Sequence, residues 1–180
     1  MTMLSQRWVG LIAGGLLLLL AGVAQAEQQT VKAIAPWLGS GQMFPVEPDK
    51  ITFLGSFEGI MYIEDAKGTL DAALMVCPTT HQIEAGKGTI RAHGHCIMTA
   101  VGGDRVFAKW KCSGVPGTCK GEFTLTGGTG RFDGISGSSD FRIRTALAGF
   151  AADIDRGTAV SGAIGLAEWP KLTYRLRTKQ

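Results

Sequence analysis

"FTLTGGTGRFDGISG", from Phe123 to Gly137, decides how this chain is read. Gly127, Gly128, Gly130 and Gly134 could cradle a phosphate or turn a strand through a corner. A dinucleotide fingerprint needs G-x-G-x-x-G where a strand enters a helix. Gly128 and Gly130 begin that pattern, but Asp133 stands where the third glycine belongs. No Lys-Ser or Lys-Thr pair makes a P-loop, and "ISGSSDFRIR" alternates with the period of a strand. Phe123 and Leu125 lead in, Phe141 and Ile143 lead out, and Phe132 plugs the bend. Glycine suits such a bend because it tolerates positive φ and close backbone approach. Gly127, Gly128, Gly130, Phe132 and Gly134 are therefore read as a structural corner.

Outward from the corner, alternation continues. Ile51, Phe53, Gly55, Phe57, Gly59, Met61 and Ile63 share one face of a strand, with Thr52, Ser56, Glu58 and Glu64 on the other. Leu54, Ile60 and Tyr62 interrupt that polar face, which implies that it is partly covered as well. Further runs are "TLDAALMVC", "GTIRAHGHCIMTAV", "DRVFAKWKC", "CKGEFTLT", "GSSDFRIRTAL", "GTAVSGAIGLAEW" and "KLTYRL", separated by glycine turns and by Pro170. About eight short strands with regular turns predict an all-β, antiparallel sandwich or closed barrel in one domain. Residues 27–48 read as an N-terminal arm with one strand around "WLGSGQMF", and residues 49–180 as the barrel.

The chain begins with Arg7 ahead of an apolar run, Trp8 to Val23, that closes on Ala24, Gln25 and Ala26. This pattern predicts a secretory signal peptide over residues 1–26, and hence a periplasmic or secreted protein. Removing those residues takes away one basic side chain, leaving 17 basic against 15 acidic. A net charge of about +2, without a concentrated basic face, excludes a nucleic-acid-binding reading. Nothing after the apolar run predicts a membrane span. The basic tail with Lys171, Arg175, Arg177 and Lys179 reads as a solvated strand face.

Cys77, Cys96, Cys112 and Cys119 make an even count, which in an exported chain reads as two disulfides. A turn centred near Lys87 sets Cys77 beside Cys96, and Cys112 and Cys119 close the loop "SGVPGT". A turn at Gly102 and Gly103 places Cys96 opposite about Lys109, out of reach of Cys112. The pairing expected is Cys77–Cys96 and Cys112–Cys119.

The glycine-rich stretch closely resembles the strand pair of allene-oxide-cyclase-like barrels, a fold shared with plant dirigent proteins. The order of "GSFEGIMYIED", "CP", "GHCI", "GGDRVFAKWKC", "GTCKGEF" and "GGTGRFDGISG" is similar to that of small exported bacterial proteins of this type. Over about Gly39 to Leu176, the resemblance implies an eight-stranded antiparallel barrel with a central cavity. It carries no functional residue onto a numbered position here, so the cyclase and radical-coupling activities of the plant proteins do not transfer.

Candidate chemistry is sparse. His93 and His95 lie two apart and share a strand face, a possible start for a metal site, with Cys112 the opposite neighbour by register. A polar strand face is the favoured reading, with no metal or cofactor. His81 lies near a loop. Glu58, Glu64, Asp65, Glu122, Asp140, Asp153 and Asp155 are scattered, Glu58 sharing its parity with the outward Thr52 and Ser56. Ser136, Ser138 and Ser139 belong to no nucleophile elbow. Ala159, Ser161, Ala163, Gly165 and Ala167 leave space inside a barrel that could be filled or hollow. The chain thus reads as a non-catalytic module that binds a small apolar molecule or another protein. An isomerase or cyclase using the barrel cavity is the alternative.

Overall fold

The computed structural model describes residues 27–146 and 159–177. The expected signal peptide and the carboxylates Asp153 and Asp155 lie outside them. Eight strands run β1 (Glu27–Glu47), β2 (Lys50–Ile63), β3 (Ala73–Glu84), β4 (Thr89–Thr99), β5 (Arg105–Val115), β6 (Thr118–Gly128), β7 (Ser136–Thr145) and β8 (Ala159–Leu176). Each pairs antiparallel with its sequence neighbours, and β8 returns to β1, closing the barrel. Closure leaves no sheet edge unpaired along the wall.

Two-residue alternation sends one side of every strand inward. Trp37, Phe53, Phe57, Trp110, Phe123, Phe141 and Trp169 are all buried there. Their rings form a chain of contacts: Trp37 to Phe57 at 4.4 Å, Phe57 to Trp110 at 6.5 Å, Trp110 to Phe141 at 5.6 Å, and Phe141 to Trp169 at 6.3 Å. Ala163, Gly165 and Ala167 of β8 supply the room for this column, whereas Ala159 and Ser161 are exposed. Gly165 lies opposite Trp37, and a Cβ there would sit 2.2 Å from the indole. The interior is therefore filled. The void left among these rings is about 20 Å³, roughly the room one water needs.

Four expectations about the chain's course change. The arm is a barrel stave: Glu27–Glu47 is one strand, hydrogen-bonded to β2 on one side and β8 on the other. Pro170 does not end a strand, because β8 runs through it. Register shifts lie beside it in both ladders, between Val31 and Ala33 and between Ser138 and Arg142. An irregular ladder tolerates a residue without an N–H. Thus β1 and the merged β8 restore the count of eight. Third, β3 continues past Cys77 to Glu84.

The fourth change is one of register. The β4–β5 turn is a three-residue loop, with the Ala100 N–H donating to the Asp104 carbonyl at 2.9 Å. A two-residue turn would put Cys96 opposite Lys109. The extra residue puts it opposite Ala108, and Cys112 opposite Ala92. A one-residue slip exchanges faces, and the longer loop sends Cys96, Ala108 and Cys112 inward together. The disulfides are Cys77–Cys96 and Cys112–Cys119.

At the glycine corner, β6 ends at Gly128, a single three-residue 3-10 turn spans Gly130–Phe132, and β7 begins at Ser136. Phe132 is wholly buried. Gly130 adopts φ 58°, where a side chain would also collide with the Asp104 carboxylate. Asp104 accepts the Arg131 backbone N–H at 3.2 Å, and Thr129 and Arg105 bond to each other through N–H donors. An amide that could have met an anion thus already holds the protein's own carboxylate.

Candidate interaction surface

The residues singled out for chemistry do not converge. His93 and His95 are exposed on the outer face of β4, opposite Lys111 and Lys109 of β5. Cys112 is inside and disulfide-bonded. Among the described residues no three His, Cys, Asp or Glu side chains gather as metal ligands. Glu58, Glu64, Asp65, Glu122 and Asp140 are exposed. Buried Ser139 donates its hydroxyl to the Asp140 carbonyl at 2.5 Å, and Ser136 and Ser138 face water.

One histidine does reach the interior. His81 sits edge-on to Phe53 at 5.2 Å and Phe57 at 5.3 Å, with Trp110 at 6.2 Å. Burial, helped by the nearby His93 charge, pushes its pKa down to about 4, so it stays neutral. Its Nε2 is buried without a hydrogen-bond partner, as are the indole N–H groups of Trp37 and Trp169. Ending β3 at Cys77 hid this residue. Carrying the inward parity of Met75 and Cys77 past Pro78 leads to Thr79 and His81.

The outer wall holds the larger departure from expectation. Leu54, Ile60 and Tyr62 are exposed, not covered. Ile60 and Tyr62 belong to an apolar face that the strand registers assemble from five strands. One row across the wall reads Ile164, Leu38, Glu58, Val76 and Ile97, on β8, β1, β2, β3 and β4. The next reads Leu166, Pro36, Ile60 and Leu74. A third reads Glu168, Ile34 and Tyr62. Leu38 is 61% exposed, Leu74 53% and Ile164 51%. Two carboxylates stand in these rows: Glu58 among the apolar side chains, and Glu168 at the β8 end of the third row, in ion pairs with Arg142 and Arg144.

Charge borders this face. Lys32 pairs with Glu64 at 3.2 Å, and Glu168 accepts from Arg142 at 2.7 Å and Arg144 at 3.1 Å. The Arg142 hydrogen bond holds the Glu168 carboxyl below its ordinary range. A groove of about 1060 Å³ follows this border across the outside of β2, β1, β8, β7 and β6, with Ile34 and Tyr62 on its rim. Beyond it, the outer faces of β4 to β7 carry Arg91, His93, Lys109, Lys111, Glu122 and Arg142.

No family model and no curated protein matches the chain. Among solved structures it is similar to a pterocarpan synthase dirigent protein, with 10% identity and a TM-score of 0.30, over 86% of this chain and 89% of that one.

Proposed function

We propose that the protein is an exported, disulfide-stapled interaction module that binds a protein partner through the outer wall of β1–β3 and its flanks, not through its interior. The apolar face set on an otherwise charged barrel carries this reading. Seven side chains of its three rows, each between 38% and 61% exposed, present on the order of 600 Å² at roughly 200 Å² per large side chain. That reaches the upper end for the largest patch of a typical monomer, and such patches mark binding sites. The filled interior supports the same choice. A cyclase would need substrate room beside His81, whereas binding pockets run to several hundred Å³.

Export is supported by the leader pattern and by two disulfides, which persist in oxidising compartments. A barrel that crosses lipid turns an apolar girdle outward around a polar interior. Here the interior is apolar and much of the outer wall is charged, which favours an aqueous compartment.

A photo-crosslinking residue placed at Leu74 and expressed in the native host tests the reading. A discrete adduct is expected at Leu74, lost when Leu38 is changed to Lys. The same probe at Val115, exposed at a hairpin tip, serves as the control. Absence of any adduct at Leu74, or equal adducts at both sites, removes the proposal.

A further inference from the structure

The outer face of β1–β3 is arranged as a surface complementary to itself, and we propose that its partner is a second copy of this chain, related by a two-fold axis along the row of Pro36, Ile60 and Leu74. The inference rests on the interaction-surface reading and names the partner.

Outward side chains on β2 come every second residue, Ser56, Glu58, Ile60 and Tyr62, and Glu64 follows just past the strand's end. Their neighbours on β1 follow the same register: Ser40 opposite Ser56, Leu38 opposite Glu58, Ile34 opposite Tyr62. Lys32 pairs with Glu64 at the far end. Glu58, the carboxylate set among the apolar side chains of β1 to β3, lies one outward step from Ile60. The lone phenol, Tyr62, lies one step the other way. Two steps out, both ends turn polar, with serines at one and the Lys32–Glu64 pair at the other.

A two-fold axis in the plane of an isologous interface, laid along the central row, reverses strand direction and keeps strand order. Glu58 then faces Tyr62 of the second copy, and Tyr62 faces that copy's Glu58. Leu38 meets Ile34 of the second copy, and the polar ends meet each other. The pairing matters because a carboxylate buried in an apolar contact without a donor opposes association. A phenolic O–H supplies a charge-assisted hydrogen bond.

Size agrees. Ile34, Leu38, Ile60, Tyr62 and Leu74, between 39% and 61% exposed, offer on the order of 500 Å² at roughly 200 Å² per large side chain. A standard interface covers about 800 Å² per partner, of which about 450 Å² is apolar. A net charge of about +2 per mature chain adds little repulsion.

The test is the mass of the purified mature chain by sedimentation equilibrium at micromolar concentration. A dimer is expected. Tyr62→Phe should weaken it about tenfold, and Glu58→Lys and Tyr62→Glu should each abolish it alone. Mixing those last two variants should restore a one-to-one dimer, since one contact becomes a cation on a carboxylate and the other stays native. Both positions are exposed, so at a concentration low enough to keep wild type monomeric the melting temperatures should match it. A monomeric wild type ends this inference and leaves the Leu74 crosslink to judge the broader reading. A trimer or larger ring, or a dimer that neither mixing nor Tyr62→Phe affects, overturns the two-fold pairing.

Discussion

The wall of β1–β3 and the wall of β4–β7 are alike on the inside and opposite on the outside. Within, both contribute large buried side chains: Trp37, Phe57 and Met75 from the first, Trp110, Phe123 and Phe141 from the second. Outside, β4 to β7 show lysines, arginines, histidines and carboxylates, whereas β1 to β3 show Leu38, Ile60, Tyr62 and Leu74. Barrel closure requires the inner pattern on every strand. It places no such demand on the outer one, as the charged half demonstrates. The apolar outer face is thus more than barrel closure asks for, and the partner proposed above would account for it.

The sharpest way to break this division is to remove an inner residue and an outer one from the same strand. Trp37→Ala empties the space over Gly165 and the 4.4 Å contact with Phe57. It should cost about 3–5 kcal/mol of stability, read from the midpoint of urea unfolding at unchanged slope. A loss below about 1 kcal/mol would mean that the aromatic column is not what holds the barrel closed.

The inner pattern was legible because alternation is local. Ile51 to Ile63 displays it within one strand, and the corner from Gly127 to Gly134 announces itself by composition. Disulfide pairing followed from turn positions and survived the one-residue error at Gly102 and Gly103. In the observed register Cys112 lies opposite Ala92, four residues along β4 from Cys96, and so stays out of its reach. What stayed hidden depends on neighbours distant in sequence. Nothing around Pro170 tells that β8 bulges against both β1 and β7. Nothing near Ile60 tells that Pro36, Leu74 and Leu166 lie on either side of it. The interruptions at Leu54, Ile60 and Tyr62 were visible, but their meaning needed the cross-strand register.

Acid sharpens the comparison, since His81 faces inward while His93 and His95 face water. The folded chain holds His81 near pKa 4, and an unfolded one returns it to the ordinary 6.5. Between those values the unfolded state takes up a proton that the barrel refuses. Stability should therefore be whole above about pH 6.5, fall as pH drops toward 4, and lose no more on this account below that. The full loss is about 3 kcal/mol. Unfolding free energies from pH 7 to 4 should show this slope in wild type and in His95→Gln, and lack it in His81→Leu. An equal slope in all three would place His81 in contact with water.

The smallest effect discriminates best. Leu38→Ser lies on the same strand as Trp37, one residue away, with its side chain on the other face. If the outer face contributes nothing to the fold, the isolated chain should change in stability by less than about 0.5 kcal/mol, measured at a concentration low enough to keep it apart from any partner. At higher concentration the variant should become easier to unfold than wild type, because a partner that binds only the folded form stabilises by mass action. A concentration-independent loss would show Leu38 packing within its own chain. The division between an inner face for folding and an outer face for binding would then fail at the strand where it is drawn most clearly.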